Sequence, residues 1–179
     1  IALWLETQGV SFQRIGFISG ITALGIICSA YFAPQLARRY GTIMVINIGL
    51  CLAAVMTVAF RYVTDIPTWL IIRFVGGLGL GLHWVLTEAW LAQIVSDQGR
   101  TRVMAIYATS IAVGFAVGPA IIWVFGFATL TPFYLIGGLL LLACIPILAL
   151  RGTEPATDFS GGGSPLLLIR KAPTVAMAC

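Results

Sequence analysis

Five long apolar stretches follow one another along the chain, at residues 15–37, 42–60, 67–95, 103–125 and 132–150. Each approaches or exceeds the roughly 20 residues that a helix needs to cross a bilayer. The connections between them are short and polar: Arg38, Arg39 and Gly41 after the first, Arg61 and Asp65 after the second, and residues 96–102 after the third. Pro34 falls in the last turns of the first span and predicts a bend or an end there, because proline removes a backbone donor. The third stretch is longer than a span requires, which predicts tilt or an extension past the hydrocarbon. Residues 1–5 are apolar and brief, and read as the tail of a helix whose body lies outside this sequence. From Arg151 to Pro165 the chain turns polar and rich in Gly and Ser, a linker signature, before residues 165–179 become apolar again. The pattern predicts an all-α polytopic membrane protein. Residues 1–150 form its transmembrane bundle, and residues 151–179 a linker with the possible start of a next helix.

Composition agrees. Hydrophobic residues make up 60% and charged residues 9%, against about 25% charged in a soluble domain. The net charge of +4 does not point to nucleic acid, because the basic residues are sorted by loop. Arg38, Arg39, Arg100, Arg102, Arg151, Arg170 and Lys171 fall in one alternate set of connections, and Arg14 and Arg61 in the other. The positive-inside rule then places the first set on the cytoplasmic side of a cell (inner) membrane. The four cysteines are scattered, three of them mid-span, and read as small apolar filler rather than as metal ligands or a disulfide framework. No metal or cofactor is expected. There is no phosphate loop, HExxH or GxSxG constellation, and no enzyme is expected.

The third stretch carries most of the candidate chemistry. A charge at membrane depth costs about 2.5–3.5 kcal/mol on insertion scales and is usually functional, yet this span holds Arg73, His83 and Glu88. At about 100° per residue, Arg73, Gly77, Gly81, Trp84 and Glu88 share a sector of about 80°. Gly77 and Gly81 form a GxxxG, which lets a neighbouring helix approach closely. Arg73 is expected to line a cavity or meet a carboxylate; the bland alternative is snorkelling to the headgroups. Glu88 suits a proton carrier or a structural hydrogen bond. His83 lies about 80–140° away around the helix, in an interhelical or relay position. Trp84 suits substrate stacking or packing. Arg73 and Glu88 stand about 22 Å apart along the axis and cannot pair. Each is expected to face a water-filled path, and any partner of Glu88 is expected outside this sequence. In the fourth stretch, Gly114-xxx-Gly118-Pro119 combines a close-contact spacing with a kink.

These pieces together resemble the amino-terminal half of a major facilitator superfamily transporter, in a poorly characterised bacterial subgroup. Arg73-Phe-Val-Gly-Gly77-Leu-Gly79 is similar to the fourth-helix R-x-x-x-G-x-G element, whose arginine the family assigns to proton coupling in many antiporters. Gly114-Phe-Ala-Val-Gly118-Pro119 is similar to the fifth-helix element associated with proton-coupled exporters. In the loop after the first full span, Arg39 and Gly41 match the family pattern, while Pro34 replaces its glycine and Arg38 its acid. The resemblance implies a six-helix bundle with most of its first helix missing, so that the chain is a fragment. A second bundle in the same polypeptide would complete the substrate path at mid-membrane. It implies a secondary active transporter of a small solute, proton-coupled and of exporter type, working by alternating access in the lipid bilayer. The competing readings are an uncoupled facilitator of a small polar solute such as a sugar, and a membrane-embedded structural or receptor protein.

Overall fold

The computed structural model describes residues 5–6, 9–95, 99–126 and 129–152. Among them are five long helices: α1 (Phe12–Tyr40), α2 (Thr42–Ala59), α3 (Ile66–Ile94), α4 (Arg100–Phe125) and α5 (Thr131–Ala149). A single 3-10 turn, Phe60–Tyr62, closes α2, and no strand occurs among the described residues. All five helices are long and apolar enough to span a membrane. The linker reading for residues 151–179 falls, from residue 153 onward, outside the described residues.

Local chemistry sets the helix ends. α1 stops at Gly41, whose φ of 85° favours glycine and whose N–H closes on the Ala37 carbonyl at 2.8 Å. Arg38 and Arg39 lie in its last turn, where cations complement the negative end of the helix dipole. One residue later α2 begins, so the two helices form a tight hairpin. α3 starts on Asp65, whose carboxylate accepts from the Thr68 N–H at 2.9 Å, with Pro67 in its first turn. Hydrogen bonding from Thr68, by its side chain first and by this N–H second, holds the Asp65 carboxyl below its usual pKa. Pro34 does not end α1: the helix runs on to Tyr40. A proline's lost bond is tolerated in membrane helices when neighbouring groups re-satisfy the backbone.

α3 is the centre of the bundle. α1 packs along one side of it and α2 along another, while α5 lies on α2. Lipid tails are as apolar as leucine, so association in a bilayer rests on close packing rather than hydrophobic exclusion. The contact surfaces show this. A Cβ on Gly25 of α1 would collide with the Phe74 carbonyl of α3, and one on Gly77 would collide with the Thr22 carbonyl of α1. Apolar clusters fill both ends of the bundle. One gathers Ile15, Ile18, Phe60, Trp69, Ile72 and Phe133. The other gathers Ala37, Val45, Ile46, Leu82, Leu86 and Cys144. α4 stands apart: none of its residues is buried, and its main helix contact among the described residues is a light one with α5.

Candidate functional site

The polar face of α3 divides into three parts along its length. At the end near Pro67, Arg73 is half-buried and its Cζ lies 5.8 Å from the centroid of the Phe60 ring. This is within cation–π reach. Arg73 shares a cavity of about 30 Å³ with Thr22, Thr57 and Phe60. Its Nε and the Thr22 Oγ1 are buried without a hydrogen-bond partner among the described residues. Glu6 is exposed, and among the described residues no ion pair joins it to Arg73. Among the described residues, the arginine therefore sits beside a small cavity against α1 and α2.

The middle of the face is a helix seam. Gly77 meets Thr22, and Gly81 meets Ser29 and Ile26, all on α1. Gly79 faces the other way: its backbone and that of Gly49 on α2 leave no room for a Cβ on either. Glycine thus brings α1 and α2 against opposite sides of the same two turns of α3. His83 lies on the α2 side, near Gly49, and its Nδ1 is 3.2 Å from the Thr87 hydroxyl one turn on.

At the far end the face reopens. Trp84 is 42% exposed and its indole N–H donates to Glu88 Oε1 at 2.6 Å. The Tyr107 hydroxyl of α4 donates to the same oxygen at 3.3 Å. Among the described residues nothing hydrogen-bonds Oε2. Two hydrogen-bond partners of Glu88 are therefore within this chain, where any partner was expected outside it. Sequence reasoning paired Trp84 with Glu88 by face but missed Tyr107. A usable signal existed. Glu88 is six residues before the end of α3 and Tyr107 seven after the start of α4, so at 1.5 Å per residue both lie about 10 Å deep.

The other sequence candidates lie elsewhere. Gly114 and Gly118 have no described atom within 4 Å of a would-be Cβ, and α4 continues through Pro119 to Phe125. Arg38 and Arg39 are exposed at the α1 end, with Arg39 over the Tyr40 ring at 5.2 Å.

The described residues thus form a helical bundle of spanning length, whose central helix is locked by glycines and carries an arginine and a carboxylate. Comparison with known sequences agrees. The profile of the Major Facilitator Superfamily matches residues 1–179. The chain belongs to the major facilitator superfamily. It is 25% identical over 158 residues to the uncharacterized MFS-type transporter YfkF of Bacillus subtilis (strain 168), covering 88% of this chain and 40% of that protein. It is 23% identical over 174 residues to the uncharacterized MFS-type transporter YcaD of Salmonella arizonae, covering 96% of this chain and 46% of that protein. An uncharacterized MFS-type transporter of Yersinia pestis (strain Pestoides F) is 23% identical over 148 residues, covering 83% of this chain and 39% of that protein. The chain thus spans less than half the length of these superfamily relatives. It is a multi-pass membrane chain of a transporter superfamily, and its environment is the lipid bilayer.

Proposed function

We propose that the full-length protein is a secondary active transporter of a small solute, coupled to protons, with Glu88 as the proton-carrying group. The observation that carries this reading is the asymmetry at Glu88. Trp84 and Tyr107 both donate to Oε1, which leaves Oε2 as the place for a proton. The same contact ties α3 to α4, so a change of charge at Glu88 alters how two helices are held, which is what alternating access requires. The resemblance of Gly114-xxx-Gly118-Pro119 to the exporter element supports the outward direction. The basic loop ends support a cytoplasmic position for the Arg38, Arg100 and Arg151 ends of the helices in an inner membrane. The remaining bundle of the polypeptide would supply the other wall of the path.

The test is Glu88→Gln in the full-length protein, reconstituted into proteoliposomes with a pH-sensitive dye and challenged with a panel of small solutes. The wild type is expected to release protons when its solute is added. The variant is expected to fold, to lose solute-triggered proton movement and to keep part of its solute exchange. Undiminished proton-coupled flux through the Gln variant would sink the carrier role. Transport by the wild type without any proton movement would favour an uncoupled facilitator instead.

A further inference from the structure

The seam between α2 and α5 is a groove. Its half nearer the α2 start is lined by Met44, Ile48, Val55, Leu148 and Arg151, with a volume of about 430 Å³. Val55 also lines the other half, about 510 Å³, which runs on past Gly138 and Leu141 to Tyr134. The floor and walls are almost wholly apolar, and Met44, Ile48, Val55 and Leu148 are each more than 40% exposed. No acidic side chain lines either half. The one charge among the lining residues is Arg151, exposed at the mouth, two residues beyond the end of α5.

We propose that the half bearing Arg151 is a binding site for an anionic phospholipid, with the phosphate on Arg151 and one acyl chain along Met44, Ile48 and Val55. Three observations select this occupant. The first is charge: a basic residue at the membrane edge of an apolar cleft suits an anionic headgroup above a hydrocarbon chain. The second is length. Met44 to Val55 is eleven residues, about 16 Å of helix, which matches the roughly 15 Å of hydrocarbon in one leaflet. The other half of the groove, at Tyr134, then meets the opposing leaflet, and its lining carries no basic residue. The third is leaflet. Val45, Ala37 and Cys144 pack in one cluster, which sets the start of α2 and the end of α5 level with the end of α1. Arg151 therefore stands at the same bundle end as Arg38 and Arg39. In the topology favoured by the basic loops this end is cytoplasmic, where anionic lipid creates a negative surface potential.

Arg151 is exposed, so its replacement leaves the packed core untouched. The full-length protein, extracted from vesicles of equal phosphatidylglycerol and phosphatidylethanolamine, is examined by native mass spectrometry for retained lipid. The wild type is expected to retain phosphatidylglycerol in preference. Arg151→Gln is expected to weaken that retention about fivefold, the worth of roughly 1 kcal/mol for one basic residue at a membrane surface. Arg151→Lys is expected to keep most of it. No headgroup preference in the wild type, or a preference that Arg151→Gln leaves intact, would overturn the proposal. A second measurement separates lipid from a protein occupant: the fluorescence gained in a Leu148→Trp variant is expected to be quenched by brominated phosphatidylglycerol. An introduced tryptophan that stays unquenched, covered by another part of the polypeptide or by a second copy, would equally overturn it.

Discussion

Single glycines decide how close the helices come. A methyl group on Gly77 would run into the Thr22 carbonyl, and one on Gly25 into the Phe74 carbonyl; backbone atoms cannot swing aside as side-chain ends do. Gly77→Ala in the full-length protein is therefore expected to cost about 1–3 kcal/mol, the usual range for overpacking, read as a lower thermal midpoint in detergent. Gly114→Ala, where no described atom lies within 4 Å, is the contrast in the same assay and is expected to be near neutral in this bundle. The sequence made Gly77 and Gly81 legible, because a four-residue glycine spacing on a face with Arg73 and Glu88 marks a buried seam. The same spacing at Gly114 and Gly118 looks identical as text. Which helix covers a small-residue face depends on tertiary arrangement, and spacing alone does not encode it. Tyr107 was missed for a related reason. It meets Glu88 only because two antiparallel helices place residues of equal depth side by side. Tyr107→Phe removes one donor to a carboxylate, worth about 1.5–3 kcal/mol at good geometry and less at 3.3 Å. It is expected to slow solute-triggered proton release while leaving the circular dichroism spectrum unchanged.

At the scale of elements, apolar run length was enough to find all five helices, because in a bilayer every spanning backbone must satisfy itself internally. The ends were harder. Pro34 reads as a bend or an end, yet α1 runs on past it and ends at Tyr40, where Gly41 supplies the φ of 85° that a terminus of this kind uses. The start of α3 was more open to reading, since Asp65 and Pro67 are both N-terminal signals. That start also carries a pH signature. Hydrogen bonding from Thr68 lowers the Asp65 pKa in the folded state, so the cap's contribution is present above the unfolded carboxylate value and is lost as pH falls through the lower folded one. Asp65→Ala is expected to lower the thermal midpoint at neutral pH and to match the wild type once the pH is well below about 3.8. Asp65→Asn, an equally good cap, is expected to hold near the wild-type midpoint at neutral pH with a weaker pH dependence. Thermal scans of the three proteins across pH check both statements.

For the whole molecule, the arrangement of charge fixes a testable orientation. Arg38, Arg39, Arg100 and Arg151 cap the same end of the bundle, and Arg14 and Arg61 the other. Single cysteines placed at Arg100 or Arg38, in a variant without its native cysteines, are expected to resist a membrane-impermeant thiol reagent in intact cells and to react in inside-out vesicles. Reaction in intact cells would reverse the orientation. The superfamily fold was legible from the order of spans together with the Arg73 and Gly114 elements; the light packing of α4 on the rest of the bundle was not, because it depends on which neighbours cover it. The single-residue joint at Gly41 has a further consequence, for biogenesis. With no slack between Tyr40 and Thr42, the two helices are held as neighbours from the moment both have left the ribosome. They are expected to insert as one hairpin, and lengthening the joint by a few residues is expected to loosen that coupling, read by glycosylation mapping of nascent chains of increasing length.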